Sequence, residues 1–290
     1  MNVLTSVWAF KIKRFPDGLL KKLKARLCVR GFEQKEGIDF FDTYSPVVKW
    51  ITIRTMLVLT VLLGLKSRQV DYTAAFLHAP VFEDIFVEMP RAYKIPGKVL
   101  KLKRSLYGLK QSPRNFFLHL KQGLLDQGFT QSTTDECLFL HPKIIALVYV
   151  DDCLFFSPNE QDILEMIKSL KLANHHFEIE NDVAGYLGVS IIHHDNGSIE
   201  LNQKGLIQRI ISTTKLENAT PKYTPSDTVP LPSDRSGTSY SETFNYASII
   251  GMLTYLDGHT RPDIAYAVHQ CARFTFAPKT SHESALKRIV

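Results

Sequence analysis

"ALVYVDDCLFF", residues 146–156, places two adjacent aspartates, Asp151 and Asp152, between two strongly apolar runs. The apolar runs predict two buried strands, and the two aspartates predict the tight two-residue loop of a hairpin between them. No Lys, Arg or His lies between Ile144 and Ile167 to neutralise the pair. Two carboxylates beside apolar walls repel each other, so at least one pKa should be raised unless a cation is bound. An ordinary exposed Asp-Asp turn is the simpler interpretation of the pair taken alone.

The composition describes a globular chain with a basic bias. The 290 residues are 44% hydrophobic and 22% charged, which suffices for one large domain or two ordinary ones. The net charge of +6 weakly favours a polyanionic partner. The basic residues concentrate in segments 10–30 and 98–114, where Phe, Tyr and Leu are interleaved with them. Such interleaving favours a phosphate-tracking surface over two merely solvated faces.

Cysteine usage and hydropathy exclude several classes of protein. The four cysteines are far apart in the chain and form no C-x-x-C pair, so we expect neither a zinc site nor a disulfide framework. The N-terminus lacks the basic start and apolar core of a signal peptide. The longest apolar run, residues 51–65, is short for a membrane span and contains Arg54, so it predicts a buried helix.

The pattern along the chain mixes strands and helices without strict alternation. Residues 7–15 and 22–30 alternate apolar and basic side chains around "FPDG", which predicts a β-hairpin. Ser112 and Pro113 predict the start of a helix that ends at Gly128. Residues 218–243 are rich in Pro, Ser and Thr and predict a linker or a long surface loop. The fold class that follows is α+β, a sheet covered by helices.

A third carboxylate, Asp71 in "QVDYTAAF", changes the interpretation of the aspartate pair. It follows a predicted strand, and its flanks are also apolar. Three carboxylates at the ends of adjacent strands can hold two divalent ions about 3.5–4 Å apart, the arrangement that promotes in-line phosphoryl transfer. Carboxylate oxygens suit Mg²⁺ and Mn²⁺. The sequence therefore predicts a metal-dependent phosphoryl-transfer site.

An ordered set of motifs resembles the reverse transcriptase of copia-type LTR retrotransposons, a part of their Pol polyprotein. The motifs are "KARLCVRGFEQKEGIDFFDTYSPVVKW", "QVDYTAAFLHA", "SLYGLKQSPRNF", "YVDD", "YLGVSI", "YTPSD" and "SIIGMLTYLDGHTRPDIAYAVHQCARF". They cover nearly the whole chain in the family's order, and the set is highly specific although two adjacent aspartates alone are not.

The resemblance implies a right-hand polymerase fold with fingers, a palm built of an antiparallel sheet and helices, and a thumb. We expect these three parts within residues 1–217, then a linker or long loop at 218–243, and a helical connection segment at 244–290. The chain begins later than the family's catalytic region usually does, so we expect the first fingers strand to lack a neighbour. It ends before the place of a ribonuclease H domain.

The resemblance also implies the metal ligands. Asp71, Asp151 and Asp152 match the family's palm carboxylates, and the backbone carbonyl of Tyr72 would join them. The implied cofactors are two Mg²⁺ ions, with Mn²⁺ as an alternative. Tyr149 of "YVDD" would lie under the primer end.

Two further groups of residues are expected to bind the dNTP. Ala75 and Phe76 follow the first carboxylate, and the ring of Phe76 would be the steric gate that clashes with a ribose 2′-OH; a core Phe is the alternative. Gln111 and Arg114 follow "YGLK", where similar enzymes contact the incoming nucleotide and template.

The basic hairpin supplies the last expected dNTP contacts. Lys24 and Arg26 in "KARL" match fingers positions that look like triphosphate contacts. For these two residues, as for Gln111 and Arg114, an ordinary solvated side chain is the alternative.

The implied activity is an RNA-directed DNA polymerase that acts on an RNA template, a DNA primer–template duplex and dNTPs. Integrase upstream and ribonuclease H downstream would be its partners in a full element. No membrane partner is expected. The location would be intracellular, in cytoplasmic virus-like particles and also in the nucleus. Two rivals remain: an inactive copy that only binds nucleic acid, and a two-metal nuclease or phosphatase.

Overall fold

The computed structural model describes residues 2–14, 20–173, 175, 177–180, 185–186 and 188–290. The chain forms two compact units, Met1–Val183 and Ala184–Val290. Helices and mainly antiparallel sheets are mixed in it, and the predicted α+β class is confirmed. The part boundaries expected at residues 217 and 243 stay predictions.

The first unit contains eleven strands and three helices within its described residues. The strands are β1 (Val3–Leu4), β2 (Ser6–Arg14), β3 (Leu20–Val29), β4 (Lys66–Tyr72), β5 (Phe86–Glu88), β6 (Val99–Lys101), β7 (Thr130–Gln131), β8 (Leu138–Leu140), β9 (Ile145–Tyr149), β10 (Asp152–Ser157) and β11 (Phe177–Glu180). The helices are α1 (Trp50–Leu63), α2 (Ser112–Asp126) and α3 (Glu160–Leu172).

A six-stranded antiparallel sheet is the core of the first unit. Its strand order is β11-β4-β10-β9-β8-β7. Strand β10 lies near the centre, and every residue from Cys153 to Ser157 is buried. A strand that is buried on both faces has a continuous apolar sequence, which accounts for "CLFF". A smaller sheet, with the order β1-β5-β6, packs Leu4, Ile85 and Val87 together in a second cluster.

Strands β2 and β3 form the predicted basic hairpin as a separate two-stranded sheet. Its turn, residues 15–19, lies outside the described residues. The register pairs Lys11 with Lys24 and Phe10 with Ala25. Since side chains alternate along a strand, one face of the hairpin is basic and the other is apolar.

Helix α1 corrects the prediction of a fully buried helix. Ile53, Met56 and Leu57 are buried along one stripe, whereas Ile51 is 66% and Leu62 is 71% exposed. A helix on the outside of a layered fold buries only the face toward its neighbours, so uniform apolarity does not establish burial on all sides. Within the described residues, no helix has both the length and the apolarity that crossing a membrane requires.

The second unit combines a small sheet with four helices. Its strands are β12 (Gly185–Tyr186), β13 (Val189–His193) and β14 (Ile199–Asn202), and β13 and β14 form the hairpin predicted at Asn196-Gly197. Its helices are α4 (Lys204–Thr214), α5 (Tyr246–His259), α6 (Ala265–Ala272) and α7 (Thr280–Ile289). The core of this unit includes Ile249, Leu253, Val268 and Leu286.

Residues 218–243 lie against the helices of the second unit rather than forming a free linker. The Leu231 amide donates to Gln270 at 3.2 Å, and Ser241 Oγ donates to Glu283 at 2.6 Å. Arg288 Nε donates to the Thr224 carbonyl at 3.0 Å. Of the two predictions for this segment, the long surface loop agrees with these contacts.

Candidate active site

The sheet brings the three predicted carboxylates to one end of two paired strands. Asp71 in β4 is the direct register partner of Asp152 in β10. Asp151 precedes β10, and its carbonyl accepts a 2.9 Å hydrogen bond from the Tyr72 amide. The sequence alone did not predict that β4 pairs with β10. This pairing brings Asp71 beside Asp152, which agrees with the hypothesis of three carboxylates at the ends of adjacent strands.

The hairpin loop differs by one residue from the prediction. Asp152 pairs with Tyr149, so the loop consists of Val150 and Asp151, not Asp151 and Asp152. Val150 has a φ of 50°, in the left-handed region. A β-branched residue is rare there, and such strain costs about 1–3 kcal/mol. The surrounding sheet pairs β10 with both β4 and β9, and this register overrides the local turn preference.

Asp151 is the electrostatically unusual member of the carboxylates. Burial raises the pKa of its carboxyl, the charge of Asp71 raises it further, and the charges of Arg26 and Lys24 lower it. Its Oδ1 atom is buried and has no hydrogen-bond partner among the described residues. Buried carboxylate oxygens are normally paired, so this orphaned oxygen fits a site for a cation.

Asp152 has a different environment from Asp151. Gln69 Nε2 donates to Asp152 Oδ1 at 3.3 Å. Within the described residues, no three His, Cys, Asp or Glu side chains already stand as a metal-ligand set. Like charges on neighbouring carboxylates repel, so a bound cation would stabilise Asp71, Asp151 and Asp152 together. Their donor chemistry, hard oxygen atoms with one orphaned, fits a divalent ion.

The basic face of the β2–β3 hairpin adjoins these carboxylates. Lys24 and Arg26 both act on the pKa of Asp151 by their charge. The Arg26 guanidinium also lies over the Tyr107 ring, 4.8 Å from its centroid. Lys24 and Arg26 thus act by their charge on one of the expected metal ligands, and their contacts with a triphosphate stay predictions.

Tyr107 is a residue of this site that the sequence reasoning missed. Burial raises the pKa of its phenol first, and the charges of Asp151 and Asp71 raise it further. Its place in the basic segment "SLYGLK", directly before a glycine, is the only signal that pointed to it.

Tyr72 ends strand β4, and Phe76 lies within the short 3₁₀ turn Ala75–His78 that follows. The half-buried Phe76 ring packs on Tyr107 with centroids 4.8 Å apart. Tyr72 is 2% exposed and its ring packs on Phe177, so the side chain is enclosed, and the expected role of its backbone carbonyl as a ligand stays a prediction. Ala75 is fully buried, and its expected contact with the substrate stays a prediction.

Gln111 and Arg114 have other partners than the carboxylates. Gln111 is 1% exposed, donates to the Asp39 carbonyl at 2.8 Å and accepts from Gln34 Nε2 at 3.0 Å. The side chain is enclosed in this way directly before α2, and its expected contact with the nucleotide stays a prediction. Arg114 forms an exposed ion pair with Asp42 at 3.2 Å, and its template contact stays a prediction. Tyr149 is half-buried, and its position under a primer end also stays a prediction.

The thiols give a first test of this packing. Cys28 is partly exposed, whereas Cys137, Cys153 and Cys271 are buried. Burial raises the pKa of Cys137 to about 12 and that of Cys271 to about 11, and burial also raises that of Cys153. Because the thiolate is the reactive form, we expect native protein at pH 8 to show one fast thiol with Ellman's reagent and four after denaturation.

The fast phase in that titration should disappear in a Cys28→Ser protein. Rapid reaction of a second thiol in the native protein would contradict the burial of Cys137, Cys153 or Cys271.

The comparisons with known proteins agree with the geometry. A family model described as reverse transcriptase (RNA-dependent DNA polymerase) matches residues 2–228. The chain is 35% identical over 300 residues to the retrovirus-related Pol polyprotein from transposon TNT 1-94 of Nicotiana tabacum, covering 98% of this chain and 22% of that protein. It is 35% identical over 292 residues to the corresponding polyprotein from transposon RE1 of Arabidopsis thaliana, covering 98% and 20%.

A yeast relative is covered over most of its length. The chain is 27% identical over 228 residues to a transposon Ty5-1 protein of Saccharomyces cerevisiae, covering 76% of this chain and 73% of that protein. By contrast, the chain spans about a fifth of the length of the two plant polyproteins. With the family match over residues 2–228, these findings show that the chain belongs to the reverse transcriptase (RNA-dependent DNA polymerase) family, among the copia-type retrotransposon members that its motifs resemble.

Proposed function

We propose that the chain is the RNA-directed DNA polymerase part of a copia-type Pol polyprotein. It would add dNTPs to a primer 3′-OH on an RNA or DNA template. The observation that carries this proposal is the buried, unpartnered Oδ1 of Asp151, a carboxylate whose pKa the charges of Asp71, Arg26 and Lys24 all affect. A two-metal phosphoryl-transfer site needs such an oxygen on one side and cations for the triphosphate on the other.

The proposed fold is a right hand. The six-stranded sheet with its carboxylates would be the palm, and the β2–β3 hairpin would belong to the fingers. Fingers, palm and thumb would lie within residues 1–217, with the loop 218–243 and the helical connection segment 244–290 after them.

The chain's own side chains have separate tasks in this proposal. Asp71, Asp151, Asp152 and the Tyr72 carbonyl would hold two divalent ions, Mg²⁺ or Mn²⁺. Such ions, when bound, lower the pKa of the attacking hydroxyl and stabilise charge on the leaving phosphate. The paired strands β4 and β10 hold the carboxylates in register.

The cations of the hairpin would bind the triphosphate. Lys24 and Arg26 stand close enough to Asp151 to act on its pKa, so a triphosphate held by them would place its phosphates near the carboxylates.

Primer extension tests the proposal. With poly(rA)/oligo(dT), dTTP and either Mg²⁺ or Mn²⁺, we expect incorporation that chelation of the metal abolishes. Binding of the same template–primer should weaken as salt rises, because phosphate contacts release counterions. Salt-dependent binding with no incorporation would instead support the inactive, nucleic-acid-binding copy. Release of nucleotides without extension would support a nuclease.

Phe76 is proposed as the sugar gate, and its substitution gives a second test. In Phe76→Val we expect the preference for dTTP over UTP, measured as the ratio of kcat/KM values, to fall roughly 10- to 100-fold. The reason is that a smaller side chain leaves room for the 2′-OH. Phe82→Val is the matched control, since that ring is 79% exposed. An unchanged preference in Phe76→Val would assign this ring to the core.

The proposed partners and location follow from the reaction. The RNA template, the DNA primer–template duplex and dNTPs would bind this chain directly. In a full element, integrase upstream and ribonuclease H downstream would belong to the same polyprotein. We expect the protein in cytoplasmic virus-like particles and also in the nucleus.

A further inference from the structure

We propose that Tyr107 is a positioning residue that holds Arg26 and Phe76 in place, so that triphosphate binding and sugar choice depend on one ring. This inference rests on the proposed polymerase function. It extends that function, because it joins two substrate-selecting side chains from different parts of the chain through a third residue.

The backbone fixes Tyr107 against the end of the basic hairpin. The Tyr107 carbonyl accepts a 2.8 Å hydrogen bond from the Val29 amide. A Cβ atom on the next residue, Gly108, would stand well under 3.0 Å from the Val29 carbonyl oxygen. The two segments are therefore packed backbone on backbone, and the position of β3 relative to Tyr107 has little freedom.

This close backbone packing of Val29 on Tyr107 and Gly108 accounts for the position of Arg26. Arg26 lies three residues before Val29 in β3, and its guanidinium covers the Tyr107 ring at 4.8 Å from the centroid. The charge of Arg26 and a hydrogen bond from its side chain lower the pKa of the phenol, against the larger effect of burial. A cation stacked on an aromatic ring gains about 0.5–1 kcal/mol at an exposed site and more when desolvated.

The same ring supports Phe76 from one side. The Phe76 and Tyr107 centroids are 4.8 Å apart with planes at 51°, and the Phe116 ring supports Phe76 at 6.3 Å. Aromatic pairs of this geometry stabilise each other by about 0.5–1.5 kcal/mol beyond burial. Removing Tyr107 would leave Phe76 with one of these two neighbours, so its ring would gain freedom to move.

Loss of the ring would also leave the Arg26 side chain less ordered. The Arg26 guanidinium stacks on the Tyr107 ring, 4.8 Å from its centroid. Without the ring, the long Arg26 side chain can adopt more conformers, and ordering it on a triphosphate costs more conformational entropy. Nucleotide binding would therefore weaken.

Two substitutions of Tyr107 distinguish its effect on Arg26 from its effect on Phe76. Tyr107→Leu removes both contacts, and we expect the KM for dTTP to rise roughly 10-fold and the preference for dTTP over UTP to fall roughly 10-fold. Tyr107→Phe keeps the ring but removes the hydroxyl, so we expect a KM rise of roughly 3-fold with the preference retained. A rise in KM at little-changed kcat indicates the loss of nucleotide binding that the ground state and the transition state share, as expected when Arg26 no longer holds the triphosphate.

Controls distinguish this inference from the proposed function. Tyr93 has a side chain that is 66% exposed, so Tyr93→Leu should match the parent both in the KM for dTTP and in the preference for dTTP over UTP. If the parent extends primers and Tyr107→Leu keeps its KM and sugar preference, the positioning role is wrong while the polymerase function stands. If Tyr107→Leu fails to fold, an unchanged KM in Tyr107→Phe overturns the role of the hydroxyl on Arg26. If the parent extends nothing, the polymerase function and this inference fail together.

Discussion

An Asp151→Asn protein is expected to incorporate dTTP at least roughly a thousandfold more slowly than the parent. The carboxylate oxygen that lies buried without a partner is the one that a neutral amide replaces least well as a metal ligand. Stabilisation of transition-state charge by a bound metal is worth several kcal/mol, and about 1.4 kcal/mol corresponds to a factor of ten in rate. Single-nucleotide extension with pre-bound template–primer measures this loss at the chemical step.

The same substitution should leave the fold intact or make it more stable. Burial and the charge of Asp71 both disfavour the ionised form of Asp151, as its raised pKa shows. An amide of the same shape removes that repulsion, so we expect an equal or higher melting temperature and unchanged binding of the template–primer. Asp126→Asn is the matched control, since that carboxylate accepts an exposed hydrogen bond from Gln122. Parental activity in Asp151→Asn would contradict the metal assignment.

The sequence predicted those parts of the site that depend on local patterns. The apolar flanks of Asp151 fix two strands, and the alternation around Lys24 and Arg26 fixes the basic hairpin. The hypothesis of a carboxylate triad also placed Asp71 on a strand next to the aspartate pair, and Asp71 pairs with Asp152 in the sheet. The loop of the hairpin was predicted one residue too late, because the structure places Val150 at a positive φ that its local conformational preference disfavours.

Long-range packing explains what the sequence did not predict. The partner of Gln111 in its buried network is Gln34, which lies 77 positions away in the chain, and no local pattern indicates such a contact. The burial of α1 likewise depends on which neighbours cover it, and several of its apolar side chains, including Ile51 and Leu62, are exposed. Tyr107 was missed for the same reason, since its role depends on contacts with Arg26 and Phe76.

A Gly108→Ala protein is expected to show the largest loss of stability among these variants, about 2–5 kcal/mol. Gly108 has a φ of +94°, where a side chain costs about 1–2 kcal/mol. Its new Cβ would also meet the carbonyl of Val29, and forced overpacking costs about 1–3 kcal/mol. Both tryptophans, Trp8 and Trp50, lie in the first unit, so their fluorescence during urea unfolding reports on that unit.

Two matched glycines separate the backbone strain from the collision. Gly97→Ala has a φ of +75° but open space around its Cβ, so it should cost only the strain of about 1–2 kcal/mol. Gly31→Ala has no positive φ, but its Cβ would meet the carbonyl of Gly108, so it should cost mainly the collision. If Gly108→Ala is no less stable than Gly97→Ala, the backbones of β3 and of Tyr107 and Gly108 are packed less tightly than these contacts indicate. The hairpin that carries Arg26 would then be free to move relative to the carboxylates.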